Sequence, residues 1–206
     1  MPNDALLIGD SQLAGPMGQR LQQLLEAAGY RVTRWGEVGW TADRWISDRW
    51  NDVLAQVHGS TPPSLIIYVL GTNDIYRSDR TRPAAVTLRD VGPETWFIGA
   101  PSYASTNLTA RVNATKPIFQ DVFGSRYIDS RPYTAPNCAG RMADCVHFVA
   151  SSGAGRQWAT SVFNELQRRR RGLAPSGSSW GPFGIAVTLA LGLLGAVIAF
   201  RNRRAR

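Results

Sequence analysis

Four short stretches of this 206-residue chain carry groups that could act on one substrate. Gly9-Asp10-Ser11 sets a hydroxyl directly after the apolar run Ala5–Ile8, at the carboxyl end of an expected strand. Asp144-Cys145-Val146-His147 sets a carboxylate three residues before an imidazole. On a loop leading into a helix, that spacing lets the carboxylate accept from Nδ1–H. The tautomer is then fixed, and Nε2 is free to take a serine proton. Taken alone, such a pair is ordinarily a surface carboxylate beside a half-buried ring. Histidine scarcity narrows the choice, because only His58 and His147 exist and His58 falls at a helix end before Pro62-Pro63. Asn73, in Gly71-Thr72-Asn73-Asp74, can donate its amide to a developing oxyanion, as can the backbone N–H groups of Gly39 and Ser11. That stretch would serve equally as a plain turn, since all four residue types favour turns. Together the groups suit acyl transfer to a serine: nucleophile, base, orienting acid and oxyanion donors.

The elements that must position these groups follow from periodicity. An amphipathic helix is expected after the Gly-Asp-Ser turn, over Met17–Ala28, with Leu21, Leu24 and Leu25 on one face and Gly29 beyond its end. Tyr30–Trp35 reads as a second strand, followed by the loop Gly36-Glu37-Val38-Gly39-Trp40. Thr41 caps a helix whose apolar stripe is Ala42, Trp45, Ile46, Trp50, Val53, Leu54 and Val57. Ser64–Leu70 is nearly all apolar, as expected of a central parallel strand buried on both faces. A short helix over Ala84–Arg89, a strand over Thr95–Gly99, a helix over Asn107–Phe123 interrupted at Pro117 and a strand over Arg126–Asp129 complete the alternation. A loop-like stretch, Ser130–Val146, then precedes a helix capped by Ser151 or Ser152 and running to about Arg170. Alternating strands and helices predict an α/β fold with right-handed crossovers and a parallel sheet. A sheet order of 2-1-3-4-5 is expected, with its switch point between strands one and three. That order alone would put the loops carrying Gly39, Ser11 and Asn73 side by side.

Composition bounds the rest. With 44% apolar and 18% charged residues, the chain can build a core, and disorder is not expected. The net charge of +8 resides in eight arginines, Arg168–Arg171 with Arg201, Arg203, Arg204 and Arg206; without them acidic and basic residues balance. Nucleic-acid binding is therefore not inferred. Cys138 and Cys145 could form a local disulfide or remain free thiols, and the histidines are too few for a persuasive zinc site. Four segments are expected: a globular domain over 1–171, a Gly/Ser/Pro linker over 172–180, a transmembrane helix over 181–200 and a basic tail over 201–206. Phe183–Phe200 holds no charge over 18 residues, enough at about 1.5 Å per residue to cross most of a bilayer core, with Trp180 at one interface. A buried core helix is the weaker alternative. Gly184, Thr188, Gly192 and Ala196 form a small-residue stripe that could pair two such helices, though small residues are common there in any case. Met1-Pro2-Asn3-Asp4 lacks the basic region of a signal peptide, which favours a tail anchor with the domain in the cytoplasm. A Cys138–Cys145 disulfide would favour the other side. Gly177-Ser178-Ser179-Trp180-Gly181 matches a nucleophile-elbow pattern but lies in the linker, without the strand and helix that motif requires.

In these blocks the chain resembles the SGNH, or GDSL-type, hydrolases over roughly residues 4–170. Gly9-Asp10-Ser11 looks like the first block, with Gln12 where leucine is common, and Gly39 like the second-block glycine, Gly36 being an alternative. Gly71-Thr72-Asn73-Asp74 looks like the third block, and Asp144-x-x-His147 like the fifth. The resemblance implies a three-layer αβα, flavodoxin-like fold, with neither cofactor nor metal. It implies Ser11 as nucleophile, His147 as base, Asp144 as its orienter, and Ser11, Gly39 and Asn73 as the oxyanion hole. It also implies an esterase, lipase or carbohydrate O-deacetylase. A membrane-anchored serine esterase acting on O-acetyl groups of envelope glycans is the first expectation. A lipid esterase or lysophospholipase, and a non-enzymatic membrane or virion protein built on the same domain, are the alternatives.

Overall fold

The computed structural model describes residues 3–74 and 78–172. They form a parallel sheet with helices on both faces. The strands are β1 (Asn3–Gly9), β2 (Tyr30–Gly36), β3 (Leu65–Val69), β4 (Thr95–Ile98) and β5 (Tyr127–Ile128), in the order β2-β1-β3-β4-β5. Every pairing is parallel, with Gly9 opposite Gly36 on one side and Val69 on the other. The expected sheet order therefore holds, and the carboxyl ends of β2, β1 and β3 lie together.

Alternation along the strands makes two cores. Leu6, Ile8, Ile66, Tyr68 and Phe97 face one side, against α3 (Ala42–Val57), α4 (Ser78–Asp90) and α5 (Thr106–Phe123). Leu7, Ile67, Trp96 and Ile98 face the other, against α2 (Pro16–Ala27) and α6 (Ala154–Arg170). β3 is buried along its whole length, as its unbroken apolar sequence requires.

The helix expected over Met17–Ala28 is α2, which Pro16, with φ preset, opens after extended Gly15; a short α1 (Ser11–Ala14) precedes it. Three local expectations are corrected. α4 is about twice its expected length, because its polar first half, Ser-Asp-Arg-Thr-Arg, shows no apolar stripe to reveal it. α5 runs through Pro117 without a break. The proline removes one backbone bond, and burial of Val112, Phe119, Val122 and Phe123 outweighs that loss. At the start of α6 the N-cap is Gly153, in the left-handed region at φ 74°, with no side-chain cap of its own. Ser152 Oγ still accepts the Ala154 N–H at 3.3 Å.

The first compact unit spans Met1–Gly172. The linker, the apolar run Phe183–Phe200 with its small-residue stripe, and the Gly177–Gly181 motif lie outside the described residues. Among the described residues no helix is long and apolar enough to cross a membrane.

Candidate active site

Ser11 is the first residue of α1, placed there because Asp10 caps the helix: its Oδ1 accepts the Gln12 N–H at 2.9 Å. The turn is tight enough to require Gly9, where a Cβ would lie 2.6 Å from the Val69 carbonyl oxygen. Asp10 thus braces the turn and takes no part in a triad. It is buried, and burial raises its pKa to about 6 against the opposing hydrogen bonds.

The imidazole arrives from a long way off in sequence. Ser11 Oγ and His147 Nε2 are 2.8 Å apart, and His147 Nδ1 is 2.6 Å from Asp144 Oδ2. Asp144 Oδ1 accepts the backbone N–H groups of Val146 at 2.8 Å and His147 at 3.0 Å. Burial is the largest single influence on the Asp144 pKa and pushes it up, but hydrogen bonds from the His147 ring and these two amides together outweigh it and hold the group at about 2. An ionised carboxylate only accepts, so the proton shared with it sits on Nδ1. Nε2 of the neutral ring is then the acceptor, and the Ser11 hydroxyl donates to it.

The loop carrying this pair is short and stapled. A disulfide joins Cys138 to Cys145, the residue next to Asp144, which settles the pairing the sequence leaves open. Cys145 is the one non-glycine among the described residues in the left-handed region, at φ 56°. Met142 N–H donates to the His147 carbonyl at 2.7 Å, and Val149 N–H to Gly140 at 3.0 Å. Beneath the loop lies Arg141, which is buried. Its guanidinium donates to the carbonyls of Val146 (3.1 Å), Cys145 (3.3 Å), Ala135 (3.4 Å) and Ser102, and packs 4.4 Å from the centre of the Phe148 ring. Gln12 Nε2 donates to the same Val146 carbonyl at 3.2 Å, tying the serine's helix to the histidine's loop.

The candidate amide donors lie on the loops after β2 and β3. Gly39 lies in the loop between β2 and α3 at φ 77°, a conformation that favours glycine. Gly36, the other candidate, is the last residue of β2, paired with Gly9 in the sheet. Asn73 Nδ2 donates to the carbonyl of Trp40, next to Gly39, at 3.2 Å, and its second N–H remains for another acceptor. The Trp40 ring is fixed by Trp45, 4.7 Å between centroids, with the Arg44 guanidinium 4.9 Å above it.

Asp74 joins the two loops from below. One carboxylate oxygen accepts the Ala42 N–H at 2.9 Å, in the first turn of α3, and the other accepts the Gly71 N–H at 3.2 Å. It is fully buried, and burial raises its pKa to about 7, with the nearby Asp10 charge adding to the rise. Sequence reading brought Ser11, Gly39, Asn73, Asp144 and His147 to one edge but missed three supports: Asp74 as a clamp, Gln12 as a tie and Arg141 as a buried prop. Asp74 was visible as the fourth residue of its motif. Arg141 left no signal, being one arginine in a loop rich in proline, asparagine and glycine. His58 ends α3, away from these groups.

No protein-family model matches the chain, and no curated protein matches it in sequence. Solved structures do. An acetylxylan esterase, Axe2 from Geobacillus stearothermophilus, aligns over 79% of this chain and 93% of its own at 17% identity and a TM-score of 0.61. The α/β hydrolase LAE5 from the metagenome of Lake Arreo, Spain, aligns over 78% and 93% at 15% identity and a TM-score of 0.60. The acetyl xylan esterase AlAXEase aligns over 78% and 98% at 15% identity and a TM-score of 0.60. The chain shares the fold of these enzymes.

Proposed function

We propose that this chain is a serine esterase of SGNH type that hydrolyses carboxylic esters at Ser11. The observation that carries the reading is the unbroken relay from Asp144 through His147 to Ser11, at 2.6 and 2.8 Å. The ester carbonyl is attacked by Ser11 Oγ as its proton passes to His147 Nε2. Asp144, ionised, steadies the imidazolium that forms. The oxyanion is received by the N–H groups of Ser11 and Gly39 and the Asn73 amide, each supplying about 3–4 kcal/mol of transition-state stabilisation. His147 returns the proton to the departing alcohol, leaving an acyl-serine. Water then adds as His147 takes one of its protons, and the acid is released with Ser11 restored.

The fold shared with acetylxylan esterases supports a carbohydrate ester, and O-acetyl groups of an envelope glycan are the proposed substrate. Phe183–Phe200 is proposed as a single-pass membrane anchor that could also pair with a second copy, and the Cys138–Cys145 disulfide supports an oxidising compartment for the domain. The test is acetate release from 4-nitrophenyl acetate and from an O-acetylated polysaccharide by the full chain in mild detergent. Hydrolysis that Ser11→Ala abolishes is expected. A folded protein without activity, or a fully active Ser11→Ala, would overturn the reading.

A further inference from the structure

Beside the cleft onto which Ser11 opens lies a second cavity of about 150 Å³, and Pro16 is a wall of both. The rest of its lining is Gln19, Arg20 and Gln23 from α2, Arg156 from α6 and Ala150 just before that helix. The fold explains the placement. α2 follows β1 and α6 follows the histidine loop, so both helices begin at the carboxyl edge of the sheet, where Ser11 lies. Pro16, Gln19, Arg20 and Gln23 recur at three- and four-residue spacing and share one face of α2 over about 10 Å of its axis. α6 packs alongside α2 and brings Arg156, in its first turn, to the same cavity.

Charge is what distinguishes this cavity. Two guanidinium groups line it, and no carboxylate does. Elsewhere arginines commonly meet a carboxylate, as Arg31 meets Asp4, Arg44 meets Asp48 and Arg170 meets Glu94. Among the described residues neither Arg20 nor Arg156 does, and the Arg20 guanidinium donates to Gln23 Oε1 at 3.4 Å. Neither α2 nor α6 carries an acidic residue in its first turn, and each has a glycine N-cap with no side-chain bond. The amino ends of both helices therefore add to the positive potential that the arginines set up.

The donor set selects the occupant. A guanidinium fork matches the oxygens of a carboxylate or a phosphate. The Gln19 and Gln23 amides donate and accept, as sugar hydroxyls do. A neutral sugar would leave both cations without a counter-charge, and an apolar group would strip their water with nothing in return. We propose that this cavity is a subsite for an acidic sugar unit, bearing a carboxylate or a phosphate, beside the acetylated unit whose ester lies at Ser11. The inference rests on the esterase reading and narrows its glycan substrate to an anionic one.

The experiment measures acetate release by the full chain in mild detergent from three O-acetylated polymers on one backbone: dextran, carboxymethyl-dextran and dextran phosphate. An anionic polymer should exceed the neutral one in kcat/KM by about tenfold, and the one that does so tells carboxylate from phosphate. Arg20→Gln/Arg156→Gln should remove most of that preference through KM, and each single variant should lower it by about three- to fivefold. Arg126→Gln/Arg171→Gln takes the same charge from the opposite edge of the sheet, before β5 and at the end of α6, and should keep the preference. That control separates a subsite from general attraction of polyanions. No release from any polymer, no preference for either anionic one, a preference that survives Arg20→Gln/Arg156→Gln, or one that the control also loses would overturn the subsite. The esterase reading stands in each of these cases if 4-nitrophenyl acetate is hydrolysed, and it falls, with the subsite, if no ester is.

Discussion

The two halves of the site are held by different means. Gly39 and Asn73 sit on loops at the carboxyl edge of the sheet, joined underneath by Asp74, whose carboxylate is fully buried and caps both. Asp144 and His147 sit on a largely exposed loop with no strand beneath it, held by the Cys138–Cys145 disulfide and the Arg141 guanidinium. A sheet edge can orient amide donors through buried hydrogen bonds, because the strands fix the spacing between loops. A loop after the last strand has no such frame and relies on a covalent staple and a multidentate donor. The same contrast shows in acidity: burial raises Asp10 and Asp74 to about 6 and 7, whereas hydrogen bonding holds Asp144 at about 2.

The largest effects should come from the relay itself. In steady-state ester hydrolysis, His147→Ala should lower kcat by on the order of 10⁶ and Asp144→Ala by on the order of 10⁴, with circular dichroism unchanged. Next is the buried clamp. Asp74→Ala frees the loops carrying Gly39 and Asn73, the proposed oxyanion donors, and should cost kcat about 10²-fold with little change in KM, because donors that are misplaced lose their hold on the transition state. The staple should matter more to stability than to rate. The Cys138→Ser/Cys145→Ser double variant should lose about 2–3 kcal/mol of unfolding free energy in urea. Its kcat should fall less than that of Asp74→Ala, since Arg141 still grips the Val146 and Cys145 carbonyls.

The smallest effect concerns pH, and its sign separates the two halves. Asp10 and Asp74 have folded pKa values above their ordinary 3.8, so the native state keeps protons the unfolded chain releases. Their contribution is fully present below about pH 4 and is lost as pH rises through 6 to 7. Asp144 has the opposite sign: what it contributes is present above about pH 4 and lost as pH falls toward 2. Asp10→Asn keeps an acceptor for the Gln12 N–H and should flatten the decline between pH 4 and 6, read from urea midpoints. An unchanged slope would remove Asp10 from that account.

Much of the frame was legible because it is local. The unbroken apolar run of β3 marked a central strand, Thr41 marked the start of α3, and alternation of elements was enough to order the sheet. The site residues were legible because each stands directly after a strand or in a compact Asp-x-x-His unit. What was not legible depends on contacts distant in sequence. Arg141 gains meaning only when Ser102 and Ala135 fold over it, and Gln12 only when Val146 arrives beside it. The continuity of α5 through Pro117 was hidden for a related reason: tertiary burial decided it over local propensity.

The central claim, that His147 and Asp144 activate Ser11 as a nucleophile, is tested most directly by a fluorophosphonate probe followed by intact-mass measurement and peptide mapping. One adduct on Ser11 is predicted, absent in Ser11→Ala and formed far more slowly in His147→Ala. No adduct on the folded protein, or labelling of Ser11 at the same rate without His147, would contradict it.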